Sequence, residues 1–245
     1  MPYSTVSYNA KDHVAYLTLN RPEAFNRIDL ELAQEVADAC RQANQDDEVY
    51  VVVIGGAGKA FCGGGEGKGE TYGVASAVAA IEKPVIVAIN GDALGQGLEL
   101  ALAGDIRLAA DDARFGLPQL TEGLIPADGG TQRLARLVGR GKALELILTA
   151  ETIAAPEALE IGLVNRVVAS AELAAEAKGL AESMARQGPI ALRFIKEAVN
   201  KGLDMTLEQG LRLEGDLYFL LHTTADRTEG INAFLKKRKP KFKGR

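Results

Sequence analysis

Glu99 stands two residues beyond the turn Gly95-Gln96-Gly97, and a second glycine-rich turn, Phe61-Cys62-Gly63-Gly64-Gly65, lies earlier in the chain. Glycine lets main-chain N–H groups approach a ligand and point at it. Two such turns brought together offer two donors to one oxygen, which is how a site stabilises a developing oxyanion. A carboxylate on the first turn of a following helix then sits close enough to move a proton. The combination suits enolate chemistry on an activated carbonyl. Glu99 has a blander use, as a helix-start acid favoured by the helix dipole, and the pair of turns around it favours the catalytic one.

Each turn follows a short apolar run that reads as a strand, Val49 to Ile54 before the first and Val85 to Ile89 before the second. Upstream, the alternation of Val14, Tyr16, Leu17 and Leu19 predicts a hairpin ending at Asn20-Arg21-Pro22. Asp29 is suited to cap a helix running to about Asn44, with Leu30, Leu32, Ala33, Val36, Ala37 and Cys40 on one face. The second turn opens a helix over 97–103 with Gly104 as its C-cap, and 105–109 forms another strand. From Gly129 onward the pattern is helical (129–138, 141–149, 155–161, 171–187, 189–201, 206–221 and 225–238), interrupted by one strand over 163–168. Strands crowd the first half and helices the second, so an ordinary doubly wound sheet fits poorly. Leu211, Leu213, Leu217, Leu220 and Leu221 form an apolar stripe broad enough to pack on a neighbouring copy as well as on the chain's own core.

At 245 residues, with 47% hydrophobic residues, the chain has ample material for a core. Its net charge of −5 argues against a general nucleic-acid binder. Seven of the ten residues from Lys236 to Arg245 are nevertheless basic, a terminus that is either solvated or set to meet phosphates. Two cysteines, Cys40 and Cys62, cannot build a disulfide framework. No apolar run is long enough to cross a bilayer and none resembles a secretory leader, so the expected compartment is the cytoplasm. Nucleotide-binding patterns fail: Leu100 stands where a third glycine would complete G-x-G-x-x-G, and Ala60 follows Gly58-Lys59 where a phosphate loop needs Ser or Thr. There is no G-x-S-x-G, and the two histidines, His13 and His222, have no partners at metal-ligand spacing.

Five stretches together resemble the enoyl-CoA hydratase/isomerase (crotonase) family. They are Gly56 to Lys68, Lys83 to Gly104, Phe115 to Arg133, Ala158 to Val168 and the basic terminus, and they fall in order over nearly the whole chain. The resemblance implies an α/β fold, a spiral of ββα units over 1–187, with a C-terminal helical module over 188–245 that assembles the protein as a homotrimer or a dimer of trimers. It implies an acyl-CoA substrate, coenzyme A entering as the substrate thioester, with no further cofactor and no metal.

By position in the motifs, the main-chain amides of Gly65 and Gln96 would form the oxyanion hole. Ala60, Cys62, Gly63, Glu66, Lys68, Pro118 and Phe242 would contact the substrate. Hydratases of the family use two glutamates: Glu99 matches the first, and the second falls on Gln119. A carboxamide orients water but does not exchange a proton near neutral pH. Asp128 stands one residue from where other members place a catalytic aspartate. It is expected either to supply the α-proton or to cap the helix that follows, whereas Glu122 is read as a surface residue. The stretch from Glu66 to Lys83 is shorter than in typical hydratases, which would alter the acyl pocket. The expected reaction is addition of water to a 2-enoyl-CoA, or its reverse. Alternatives are double-bond migration by Glu99 alone and a CoA-binding scaffold that has lost its chemistry.

Overall fold

The computed structural model describes residues 3–67 and 69–245. The chain opens with an antiparallel hairpin, β1 (Val6–Lys11) and β2 (Val14–Leu19), joined by Asp12 and His13, both with positive φ. Such a two-residue turn matches the twist of its strands, and His13 is steadied by stacking on Tyr50 at 4.2 Å. Helix α1 (Leu30–Gln45) starts where Asp29 accepts a hydrogen bond from the amide of Leu32. Its buried residues, Leu32, Ala33, Val36, Ala39, Cys40 and Ala43, recur at helical spacing and form the face turned to the core.

Strands β3 (Val51–Gly56), β4 (Val85–Ile89), β6 (Ile106–Ala110) and β9 (Arg166–Val168) then add to β2 one after another, every pairing parallel. Among the described residues, the main sheet runs β1-β2-β3-β4-β6-β9. The strands follow chain order, so the sheet winds one way only, as a spiral does, and the doubly wound alternative falls away. β3 and β4 are buried almost throughout, which explains why they read as continuous apolar runs instead of alternating ones. A smaller sheet sets β7 (Arg114–Gly116) between β5 (Ala93–Leu94) and β8 (Thr152–Ala154). These strands of two and three residues leave no periodicity, and the sequence reading passed over them.

The helices around this frame are α2 (Val74–Ala79), α3 (Gln96–Leu102), α4 (Gly130–Val138), α5 (Arg140–Thr149), α6 (Ala155–Glu160) and α7 (Leu173–Ala185). The terminal segment adds α8 (Pro189–Gly202), α9 (Leu207–Leu221) and α10 (Ala225–Leu235). Most expected boundaries shift by one to three residues, and two of the shifts have a visible cause. Helix α3 stops at Leu102, and Gly104 serves another purpose: a Cβ there would lie 2.3 Å from Cγ2 of Val87. The strand expected over 163–168 starts only at Arg166, because the amides of Leu163 and Val164 both turn back to the carbonyl of Ala158. No helix among the described residues is long and apolar enough to cross a membrane.

Candidate active site

The two glycine turns meet. Cys62 donates its amide to the carbonyl of Asp92 and accepts from the amide of Leu94, both at 3.0 Å, which ties the first turn to the strand leading into the second. Gly97 makes the approach possible, since a Cβ on it would lie 2.3 Å from the Cys62 carbonyl oxygen. On its other side the first turn is held by Ile28, whose amide donates to Gly64 at 2.8 Å and whose carbonyl accepts from Glu66 at 2.7 Å. These bonds fall on either side of the Gly65 amide. Among the described residues, neither that amide nor that of Gln96, at the first position of α3, donates to a protein acceptor.

A cavity of about 470 Å³ opens at this junction, and Gly63, Gly65, Gln96, Glu99, Pro118 and Gln119 line it. Glu99 is 1% exposed. Its Oε1 accepts from the main-chain amides of Asp128 at 2.8 Å and Gly130 at 2.9 Å. Its Oε2 accepts from Nε2 of Gln119 at 3.2 Å. Burial raises the carboxyl pKa above the ordinary glutamate value, and the two backbone N–H bonds only partly offset that rise. The site therefore holds a buried carboxyl with elevated basicity on the same cavity as two main-chain donors that have no protein acceptor among the described residues. Such a set can carry a proton and can receive negative charge on a substrate oxygen.

Asp128 requires a correction. Its side chain is buried and turned onto α2, where Oδ2 accepts from the Ala75 amide at 2.7 Å and Oδ1 from the Ser76 hydroxyl at 2.8 Å. The residue before α2, Gly73, has no side chain to cap the helix, and Asp128 satisfies those orphan donors from across the fold. It does not cap α4, whose N-cap position is Gly129 with no side-chain cap, and it is not among the residues that line the cavity. We expect Asp128→Asn to lower stability by about 1–3 kcal/mol, read as a shift in urea midpoint, and to leave kcat nearly unchanged.

Other expected contacts divide. Ala60 and Cys62 are buried behind the wall, with the carbonyl of Ala60 accepting from the buried Asn26 side chain at 2.9 Å. Glu66 pairs with Arg21 at 3.4 Å, and Arg21 also binds Asp29. Lys68 lies outside the described residues. Within the chain, Phe242 lies away from this cavity, in a different groove beside Ala191, Leu192 and Leu221. The basic terminus is pinned there. Asp226 accepts from the amides of Lys243 and Gly244 at 2.7 and 2.8 Å, and Arg238 grips Glu229 through both nitrogens at 2.6 and 2.7 Å.

Sequence reasoning also missed part of the wall. Arg27, Glu70, Leu124 and Ile125 line the cavity, and so does Glu122, whose side chain is exposed at its edge. Pro118–Glu122 is a 3₁₀ turn, and residues three apart on such a turn share a face. The Gln119–Glu122 spacing was the available signal. Gln96 adds a tether: its Nε2 donates to the carbonyl of Glu70 at 2.6 Å and holds the segment after the first turn against the second.

The chain matches the enoyl-CoA hydratase/isomerase family over residues 9–245. It is 39% identical to a crotonyl-CoA hydratase of Syntrophomonas wolfei over 257 aligned positions, covering 99% of each chain. It is 38% identical to a short-chain-enoyl-CoA hydratase of Clostridium acetobutylicum, covering 98% of this chain and 97% of that one. The crystal structure of an enoyl-CoA hydratase from Bacillus anthracis superposes with a TM-score of 0.95 at 41% identity, covering 99% of this chain and all of that one.

Proposed function

The chain belongs to the enoyl-CoA hydratase/isomerase family, with its α/β spiral fold and C-terminal helices, and we propose that it adds water across the double bond of a 2-enoyl-CoA thioester. What supports this reading is that the two glycine turns meet, and that Gly65 and Gln96, whose amides have no protein acceptor among the described residues, line one cavity with the buried Glu99 carboxyl. The relatives described as crotonyl-CoA and short-chain-enoyl-CoA hydratases support it.

In this reading the thioester oxygen rests on the two amides, and the charge it gains as water attacks the β-carbon is held there. Low local dielectric makes such donors worth more than they are in water. Glu99 takes the proton from the attacking water. Gln119, expected to hold that water, instead has its carboxamide turned onto Glu99, so its first task is to fix the base. The thioester itself is the electron sink, so neither a metal nor a redox cofactor is called for.

Hydration and double-bond migration separate in one assay. A 2-enoyl-CoA should lose its conjugated absorbance, and a 3-enoyl-CoA should not gain it at a comparable rate. The reverse pattern would replace hydration with isomerisation, and coenzyme A binding without turnover on either would leave only a scaffold.

Gln96→Gly keeps the main-chain donor and removes the tether to Glu70. We expect kcat on a short 2-enoyl-CoA to fall far less than the roughly 10²–10³-fold that follows loss of an oxyanion donor. Relative kcat/KM for longer acyl chains should rise as the segment is released.

The assembly we propose is a homotrimer or a pair of trimers, in the cytoplasm. What supports it is the outward apolar face of the terminal helices, where Leu203, Leu207, Leu211, Phe219 and Phe234 are all exposed. Light scattering after size-exclusion chromatography would count the copies.

A further inference from the structure

The two oxygens of Glu99 are not equivalent. A carboxylate oxygen carries two lone-pair sites, and both sites on Oε1 are engaged by main-chain N–H groups, from Asp128 at 2.8 Å and Gly130 at 2.9 Å. Both donors stand at the entrance to α4, Gly130 as its first residue. Oε2 has one protein partner among the described residues, Nε2 of Gln119 at 3.2 Å, and its second lone pair is left over. Gln119 is itself half-satisfied, since its Oε1 is sealed from solvent with no hydrogen-bond partner.

The other charged groups around this carboxyl have fixed duties or stand apart. From the segment leading into α4, the Asp128 carboxylate is engaged at α2 and raises the Glu99 pKa, while Arg133, which donates to the Asp128 carbonyl at 2.7 Å, lowers it. From the first-turn segment, Glu70 accepts from the Tyr72 hydroxyl, and Arg27 is exposed on the wall. Glu122, on the 3₁₀ turn, is exposed at the cavity edge.

We infer that Oε2 of Glu99 is the single proton station of this cavity and that Gln119 is its ambidentate positioning partner, donating to the carboxylate and, after a half-turn of its amide, accepting from the carboxylic acid. The inference rests on the hydratase reading only for where the proton comes from and goes.

In hydration, the water oxygen bonds to the β-carbon as Oε2 takes one water proton, and the π pair moves onto the thioester oxygen. The carboxylic O–H then returns that proton to the α-carbon as the enolate collapses. One water is added, and Glu99 ends ionised. A second glutamate at 119 could share the proton, and an apolar residue could pair with neither form. A carboxamide keeps one hydrogen bond to Oε2 in both proton states.

The pairing is tested without substrate. In isotopically labelled protein, the side-chain NH₂ signals of Gln119, identified by their loss in Gln119→Met, should shift with pH at the same midpoint as the Glu99 carboxyl carbon. That midpoint should lie above the ordinary glutamate value, and the shift should vanish in Glu99→Gln. An NH₂ group that ignores the titration of Glu99 would overturn the proposal, whatever the activity.

Turnover supplies the second test. On a 2-enoyl-CoA, kcat/KM, which reports the free enzyme, should rise with pH through that one midpoint and show no second ionisation. Gln119→Met should lower kcat about ten-fold, one hydrogen bond's worth, with little change in KM. Gln119→Glu should introduce a second ionisation. A wild-type alkaline limb that disappears in Glu122→Gln would install a second proton carrier and overturn the single station. A shared midpoint with no turnover on any enoyl thioester would instead refute the hydratase reading and leave the pairing standing.

Discussion

Glu99→Gln lowers kcat on a 2-enoyl-CoA by about 10²–10⁴-fold, the range supplied by a positioned general acid–base group, and leaves KM close to its wild-type value. The variant folds. A glutamine carbonyl can take the two amides of Asp128 and Gly130 where Oε1 now does, and a half-turn of Gln119 presents its own carbonyl to the new NH₂.

Its stability should also differ from wild type in a way that pH reveals. The folded-state pKa of Glu99 is raised above its unfolded value by burial. Stability from keeping this carboxyl protonated is therefore complete below the unfolded pKa and is lost as pH rises through the elevated folded one. Wild type and Glu99→Gln should have similar urea midpoints in acid, and the variant should become the more stable one across that window. Activity moves oppositely, because only the ionised carboxylate accepts the water's proton, so wild-type kcat/KM should fall as pH drops through the same folded pKa.

Gly97→Ala should damage both fold and activity. The added methyl would meet the Cys62 carbonyl oxygen at 2.3 Å, its Cβ at 2.7 Å and its Sγ at 2.8 Å, all without room to yield. The carbonyl is fixed by its bond to the Leu94 amide. Overpacking of this kind costs about 1–3 kcal/mol. It would also force apart the turns that carry the Gly65 and Gln96 amides, the proposed oxyanion donors, and misplacing one such donor costs roughly 10²–10³ in kcat. Denaturant unfolding and kcat measure the two effects separately. Adding Cys62→Ala to the variant removes the thiol clash but leaves the carbonyl in place, so activity should not return.

The site was legible where its determinants are local. Asp29 caps α1 as its type and position indicate, and each glycine turn follows a strand whose apolar run stands out from its neighbours. Glu99 lies on the first turn of α3. What depends on distant segments was hidden. Asp128 looked like a cap for the helix beside it in sequence, yet the donors it satisfies are those of Ala75 and Ser76. Nothing in a linear pattern says that α2 begins with a glycine unable to cap it and an aspartate from another loop overhead.

The place of Phe242 within the chain was hidden for a similar reason. A basic terminus reads as solvated or phosphate-seeking, but here acids on α10 fold it back, and the Arg238 pair holds Glu229 near a pKa of about 2. Gln119 was visible as a departure from the family's second glutamate, whereas its orientation onto Oε2 needed coordinates.

Oxygen incorporation tests the central claim most directly. Wild type and Glu99→Gln are each incubated with a 2-enoyl-CoA in ¹⁸O-labelled water, and the product is weighed by mass spectrometry. The account predicts a 3-hydroxyacyl-CoA carrying one solvent oxygen from wild type and almost none from the variant in the same time. Unlabelled product with a relocated double bond, or equal labelling by both proteins, would contradict it.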